Sequence, residues 1–496
     1  MVKRLILLAA ATAAAATSWG SLEDLESRVA EVRLANGMKW LFVEDRKSPT
    51  FAGVICFRVG GVDEAPGQSG LAHLFEHMAF KGTSVIGTTD YAAEKPIMDE
   101  LEAVADELSA EKAKERPDEA LVKELSAKLA ALQAEEKKYI KKDELWEIYT
   151  RAGADGTNAW TSKDLTAYHL SLPANRVELY CLVEAQRMAD PVFREFYTER
   201  DVVTEERRMR LDTQPSGKLY EEFIDAAFKV HPYRIMTLGY ARDLAVLSAS
   251  EARAFHETYY VPGNAVGVLV GDFRARDAEK AVRKYFERIP AGPPPPAEIP
   301  AEPPQMEERR VEVPFDAEPQ ILIGYHIPAF PDADVAPLRV LSTILADGRS
   351  SRLYTRLVKK DGLAVAVSTY YDDPGTRYPG LFIVEPTPRA PHTTAEVEAA
   401  VYEELERLAN EPVSAEELTK AKNRMDAAFL WRLSDDMGLA MSLAVQDRLY
   451  GDWRRVIAYR KEIAAVSADD ILRVARTYFQ PTNRTVATLV KTAEVK

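Results

Sequence analysis

The sequence predicts an α+β protein made of two homologous domains joined by a linker, and three observations carry that reading. A proline-rich run, Pro290-Ala-Gly-Pro-Pro-Pro-Pro-Ala-Glu-Ile-Pro300 with Pro303 and Pro304 behind it, divides the chain. Such a run is stiff and extended and continues neither a helix nor a central strand. The two parts echo each other: Tyr259-Tyr-Val-Pro-Gly-Asn264 precedes an apolar run to Val270, and Tyr478-Phe-Gln-Pro-Thr-Asn483 precedes another to Val490. Both read as a helix end, a turn and a strand, which suggests an internal duplication. Each part also alternates strand-like and helix-like runs. At 496 residues the chain is too long for one core. The expected organisation is a leader over 1–19, a first domain over 26–290, a linker over 291–305 and a second domain over 306–496.

The elements follow in order. Met1-Val-Lys-Arg4, the apolar Leu5-Ile-Leu-Leu-Ala and the alanines to Ala16 read as a secretory signal peptide. That run is too short to span a bilayer, so the expectation is an exported, periplasmic protein without stable membrane insertion. Phe51 to Val59 reads as a strand. Leu71, Leu74, Phe75 and Met78 give an apolar stripe to a helix opened by Ser69-Gly70 and closed by Gly82. Residues 95–145 are rich in Ala, Glu, Lys and Leu. Ile97, Leu101, Val104 and Leu108 form one stripe, and Leu121, Leu125, Leu129 and Leu132 another, with Pro117-Asp118 between. This predicts a helical hairpin inserted in the first domain and standing off it. Gly153 and Gly156 suggest a turn into a strand at Ala159-Trp160-Thr161, and Thr198 to Leu211 reads as an amphipathic helix. Gln320 to His326 is a strand; Glu251–Tyr260 and Thr394–Leu408 are helices. Cys56 and Cys181 fall in apolar runs and read as buried, unpaired thiols.

Chemistry concentrates in Gly70-Leu-Ala-His-Leu-Phe-Glu-His-Met-Ala-Phe-Lys-Gly82. His73 and His77 are four apart and share one helix face, where two imidazoles can bind one metal ion. Glu76 lies on the same side, within reach of a water on that metal. With seven His in the whole chain, this H-x-x-E-H pattern is a specific signal, and it marks the inverted zinc peptidases. Such a site needs a third protein ligand and an open position. Glu199 and Glu206 are two turns apart on one helix face, so one can bind metal and the other support it. Spacing alone does not choose between them, and Glu205 is adjacent.

These blocks resemble the pitrilysin family, which includes insulinase and mitochondrial processing peptidase, in its short two-domain bacterial form. The resemblance runs over nearly the whole chain: Gly60-Gly61 with Glu64, Gly70 to Thr83, Asn158-Ala-Trp-Thr161 and the Glu199/Glu206 pair. It implies two homologous α/β-sandwich domains enclosing a chamber. It implies Zn²⁺ held by His73, His77 and Glu206, with Glu199 behind the ligands and Glu76 as general base. Asn158 and Ala159 then lie on a strand edge that pairs with substrate backbone. The implied activity is zinc-dependent endoproteolysis of peptides or unfolded segments. Active members also use an Arg and a Tyr from the second domain, after a block kept here as Gly348-Arg-Ser-Ser-Arg-Leu353. Their positions here fall on Val358 and Val365, which donate no hydrogen bond; Arg356 and Tyr370 are the nearby substitutes. The resemblance therefore implies a homologous partner subunit that supplies the pair.

The formal charge of −14 argues against nucleic acid as a partner, and no phosphate-binding G-x-x-x-x-G-K-[ST] loop is present. Two other classes stay open on sequence grounds: a non-catalytic structural member of the same fold, and a peptide-binding module with structural zinc. A structural site normally uses four protein ligands; three plus Glu76 favour catalysis.

Overall fold

A computed structural model describes residues 22–296 and 298–491; the signal-peptide reading of residues 1–19 lies outside them. Among the described residues no helix is long and apolar enough to cross a membrane.

The first half builds a six-stranded sheet from β1 (Val29–Arg33), β2 (Lys39–Glu44), β3 (Thr50–Phe57), β4 (Asp155–Thr161), β5 (Thr166–Pro173) and β6 (Ala265–Gly271). The second half builds a five-stranded sheet from β7 (Arg309–Phe315), β8 (Gln320–Ile327), β9 (Ala364–Asp373), β10 (Gly380–Pro388) and β11 (Arg484–Lys491). The order is β1-β2-β6-β3-β5-β4 in one and β7-β11-β8-β10-β9 in the other. Without β1, the two are the same pattern: β2 pairs parallel with β6 and β7 with β11, and the remaining neighbours are antiparallel.

The repeated Tyr-x-x-Pro-x-Asn stretches show why the echo is there. Asn264 Nδ2 donates to Tyr259 O and to Arg58 O beyond β3. Asn483 Nδ2 donates to Tyr478 O and to His326 O on β8. Each amide ties a helix end to the central strand of its own sheet, satisfying carbonyls that the turn would otherwise strand.

Each sheet has one face covered by helices of its own half and one covered by a helix of the other. The Pro215–Ala227 helix of the first half lays Leu219, Phe223, Ile224 and Ala227 on Val313, Leu322, Ile383, Ala487 and Leu489 of the second sheet. The Asp436–Tyr450 helix of the second half lays Leu439, Leu443 and Ala444 on Leu41, Val43, Val54, Val266 and Val268 of the first. Apolar burial of this size is the main force holding the halves together. A buried ion pair, Lys39 Nζ to Asp447 Oδ2 at 2.5 Å, fixes the second contact, and His326 Nε2 to Ala227 O at 3.0 Å caps the end of the first.

Two expectations change in detail. The stretch read as a hairpin over 95–145 is a pair of helices, Tyr91–Lys112 and Glu119–Glu136, followed by a short third, Glu144–Arg151. The hairpin does not simply stand off: Leu101, Val104, Leu108, Leu125 and Leu132 are buried in the first half's own core. Its two apolar stripes face the body as well as each other. The linker carries no helix or strand among its described residues, yet it is pinned. Glu302 accepts backbone hydrogen bonds from Lys229, Val230 and His231, and Ile299 packs on the second core face. Cys56 and Cys181 are buried and unpaired, and burial pushes the Cys56 thiol up to about 12.

Candidate active site

The Leu71–Met78 helix carries His73, Glu76 and His77. Its start is held by Glu64, whose carboxylate accepts from Gly70 N at 3.0 Å and Ala72 N at 2.8 Å. A carboxylate on free N–H groups at a helix start suits the positive end of the helix dipole. That is the local work of the Gly60-Gly61…Glu64 block. Leu71, Leu74, Phe75 and Met78 are buried, and they turn the opposite face, with both histidines, toward a second helix.

That second helix is Phe196–Arg207. Glu206 Oε2 lies 3.8 Å from His73 Nε2 and 3.5 Å from His77 Nε2. Ligand atoms of the three residues all lie within 4.8 Å of one another. Glu205, next in sequence, points outward and pairs with Arg208. Glu199, one face up, places Oε2 at 3.3 Å from His77 Nδ1. The Glu199 carboxylate can accept from Nδ1–H, which leaves Nε2 as the nitrogen available to a metal.

The electrostatics fit a cation at the focus of the triad. Burial, then the charge of His77, lowers the His73 pKa to about 3, so it is a neutral imidazole. Burial works against a charged His77, but the Glu199 hydrogen bond and nearby carboxylates outweigh it and raise its pKa. Burial alone would raise Glu199, yet His77 and Lys81 hold it down at about 2. Two imidazole nitrogens and one carboxylate oxygen form a donor set suited to zinc. Glu76 is not among the three. Its pKa is raised chiefly by burial, against the Thr161 hydrogen bond and the charge of His77.

Four neighbours escaped the sequence reading. Thr161 Oγ1, at the end of β4, donates to Glu76 Oε2 at 2.6 Å. Lys81 Nζ bridges Glu199 at 2.6 Å and Glu195 at 3.0 Å. Arg210 Nη2 meets Glu206 Oε1 at 2.9 Å from a π-helical turn, Arg208–Asp212. Arg194 is buried just before the glutamate-bearing helix. Thr161 had a signal, since it closes the Asn158-Ala-Trp-Thr block; Lys81, Arg210 and Arg194 had none beyond proximity in sequence.

Asn158 and Ala159 lie on β4, the free edge of the first sheet. Asn158 is exposed and Ala159 buried. Their pairing to β5 breaks between Asp155 and Asn158. The edge faces no further strand and lies beside the histidine helix, the usual setting for strand addition, while Ala159 N donates to Asn158 Oδ1 at 2.9 Å. In the second half Val358 is half-buried against the core and Val365 is exposed on β9. Arg356 is held by Asp361 and Glu403. Tyr370 lines a cavity of about 660 Å³ between the halves that also reaches Arg210.

Comparison with known proteins agrees with this frame. The profile described as "Insulinase (Peptidase family M16)" matches residues 41–117, and "Peptidase M16 inactive domain" matches residues 247–425. The chain is 27% identical over 482 residues to the zinc protease PqqE of Helicobacter pylori, covering 92% of each. It is 21% identical to the probable mitochondrial-processing peptidase subunit beta of Arabidopsis thaliana, over 91% of this chain and 76% of that one. Among solved structures, a protease from Helicobacter pylori superposes with a TM-score of 0.76 at 26% identity, covering 93% of this chain and 99% of that one. A peptidase M16 inactive domain from Pseudomonas fluorescens shares the fold with a TM-score of 0.75 at 17% identity, over 94% of this chain and 99% of that one. On sequence and fold together, the chain belongs to the insulinase family of peptidases, M16.

Proposed function

We propose that this chain is a zinc-dependent endopeptidase acting on peptides or unfolded segments. The observation that carries the reading is the convergence of His73, His77 and Glu206 beside a non-ligand carboxylate, Glu76, oriented by a hydroxyl. Zinc at that position supplies Lewis-acid chemistry, acidifying a water and polarising a carbonyl oxygen. Glu76 takes the proton of the attacking water and passes it to the leaving nitrogen. Thr161 holds the carboxylate in place for that transfer. Glu199 keeps His77 in the tautomer that binds metal. Substrate adds as a strand along β4, with Asn158 and Ala159 at the pairing edge, so backbone rather than side chains sets most of the affinity.

The same reading assigns a partner. Val358 and Val365 offer no donor for a substrate carbonyl, and Arg356 is held in ion pairs. A homologous subunit would supply the Arg and the Tyr, making this chain the zinc-bearing member of a heteromer. The reading places it outside the cytoplasm, in the periplasm.

Glu76→Gln tests the catalytic assignment. Zinc content should stay at the wild-type level while hydrolysis of a quenched peptide falls about a hundredfold to ten-thousandfold. Full turnover by the variant would remove Glu76 from the base role. Mixing with the homologous subunit should raise the activity of the wild-type chain; robust turnover by the isolated chain, unaffected by changes at Arg356 and Tyr370, would show the pair to be dispensable.

A further inference from the structure

The triad is split between two helices: His73 and His77 on Leu71–Met78, Glu206 on Phe196–Arg207. Its geometry survives only while those helices keep their relative position. Next to them lies a buried cluster that the proposed chemistry does not use.

Arg194 is 1% exposed. Its guanidinium donates to Glu94 at 2.8 and 3.2 Å, to Lys81 O at 2.7 Å, to Thr83 O at 2.9 Å and to Ile86 O at 3.2 Å. Those three carbonyls belong to the loop that follows the histidine helix. Gly82 and Gly87, at φ +94° and +88°, let this loop close: a Cβ on Gly82 would overlap Ile86 O and one on Gly87 would lie 2.8 Å from Lys81 O, two of the carbonyls that Arg194 binds. Glu94, wholly buried, sits in the first turn of the hairpin's first helix. Glu136, 2% exposed, sits in the last turn of its second helix. Glu136 Oε1 accepts from Glu195 N at 3.1 Å. Glu195 begins the glutamate helix at φ 57° with no side-chain cap, a conformation that surrounding contacts must hold. Lys81 then joins Glu195 to Glu199, and Glu199 meets His77. Both legs of the hairpin therefore end on Arg194 and Glu195, the two residues ahead of the glutamate helix.

We propose that the root of the helical hairpin is a positioning element for the metal site, with Arg194, Glu94 and Glu136 seating the glutamate helix against the histidine helix. This rests on the zinc reading above. Loss of the Glu136 contact frees Glu195 N, loosens the first turn and lets Glu199 and Glu206 drift from the histidines. Outer supports of this kind typically govern metal affinity tenfold to a hundredfold.

The test uses the full chain and zinc alone. Glu136→Leu removes the acceptor, Glu136→Gln keeps it, and Glu102→Ala breaks an outer hairpin contact, Glu102 to Arg253 at 3.1 Å. Zinc Kd by competition with a chelating dye, thermal midpoint, and amide exchange over residues 195–199 are measured for each. The expected result is zinc binding at least about tenfold weaker and faster exchange in Glu136→Leu, with wild-type affinity in the other two. Folded Glu136→Leu with wild-type affinity and exchange overturns the proposal, as does equal zinc loss in Glu102→Ala. Should Glu136→Leu not fold, Arg194→Lys is judged by the same criteria. Absence of zinc binding by the wild-type chain would sink the metal reading instead, and the exchange comparison would still decide the positioning role.

Discussion

In the first half the helix after the central strand is eight residues long and sets Glu76 against Thr161 of the edge strand β4. In the second half the helix after β8 is twelve residues long, Val335–Ala346, and buries Leu338, Val340, Leu341, Ile344 and Leu345. Its polar links to the edge strand β9 are an ion pair, Arg339 to Asp372 at 2.6 Å, and hydrogen bonds between Ser342 and Thr369. Apart from the extra strand β1, the two sheets share one strand order. One copy places His73, Glu76 and His77 on the helix after the central strand. The other packs aliphatic side chains on its buried face, which stabilises through burial, and turns Arg339, Ser342 and Thr343 toward a cavity of about 940 Å³. The duplicated frame thus carries the His73, Glu76 and His77 cluster on the helix of one copy and a helix without His or Glu in the other.

The sharpest way to break that contrast is to unmake the triad. Glu206→Gln should weaken zinc binding about a hundredfold or more, beyond what an outer support costs, while Glu205→Gln should leave it unchanged. Isothermal titration of both variants checks this; equal losses would mean that the helix register around Glu206 is wrong.

The exchanged helices give the next largest effect. Phe223 is fully buried on the second sheet and Leu443 on the first. Phe223→Ala should destabilise the chain by about 3–5 kcal/mol and Leu443→Ala by about 2–5 kcal/mol. Because each helix covers the other half's sheet, either change should lower one shared unfolding transition in calorimetry. Two separated transitions, only one of them shifted, would show halves that fold independently.

Much of this was legible because it is local. His73, Glu76 and His77 lie within five residues, so the helix period alone places them together. The duplicated strand order was foreshadowed by Asn264 and Asn483, each tied to a carbonyl five residues back. What was not legible depends on long-range packing. Thr161 closes the Asn158-Ala-Trp-Thr block at the end of β4, but it is 85 residues from Glu76, and no spacing links the two. The exchange of covering helices was hidden for a different reason: an apolar stripe says that Pro215–Ala227 is covered, not which sheet covers it. The hairpin's docking was missed because Glu94 and Glu136 look like solvated acids in a run full of Glu and Lys, and only Arg194 and Glu195, far along the chain, give them a buried role.

Thr161→Val probes the contact between helix and edge strand directly. It removes one hydrogen bond to a carboxylate without changing shape. A bond of that kind contributes about 1.5–3 kcal/mol, so turnover should fall about tenfold or more if the orientation of Glu76 limits proton transfer. Zinc affinity should not move, since Thr161 touches no ligand. A variant with lost zinc and normal turnover per bound metal would assign Thr161 to the fold of the site and not to the base.

The smallest effect concerns the hairpin root and is read as pH dependence. Burial, opposed by the Glu195 N–H and reinforced by the charges of Glu94 and Glu195, raises the Glu136 pKa to about 7. Its ordinary value is 4.5, so the folded chain binds this proton more tightly than the unfolded one. The stabilisation is complete below the unfolded value and is lost as pH rises through about 7. The amide introduced by Glu136→Gln would keep the acceptor for Glu195 N and cannot titrate. Relative to wild type, Glu136→Gln should therefore gain on the order of 1 kcal/mol between about pH 5 and about pH 8. Urea unfolding of metal-free protein at both values isolates the effect from zinc binding. An unchanged difference between the two pH values would mean that Glu136 is ionised across this range and that Arg194, not the apolar surroundings, dominates its environment. The root of the hairpin would then be held by a charge pair, much as Arg339 and Asp372 hold the counterpart helix of the second half.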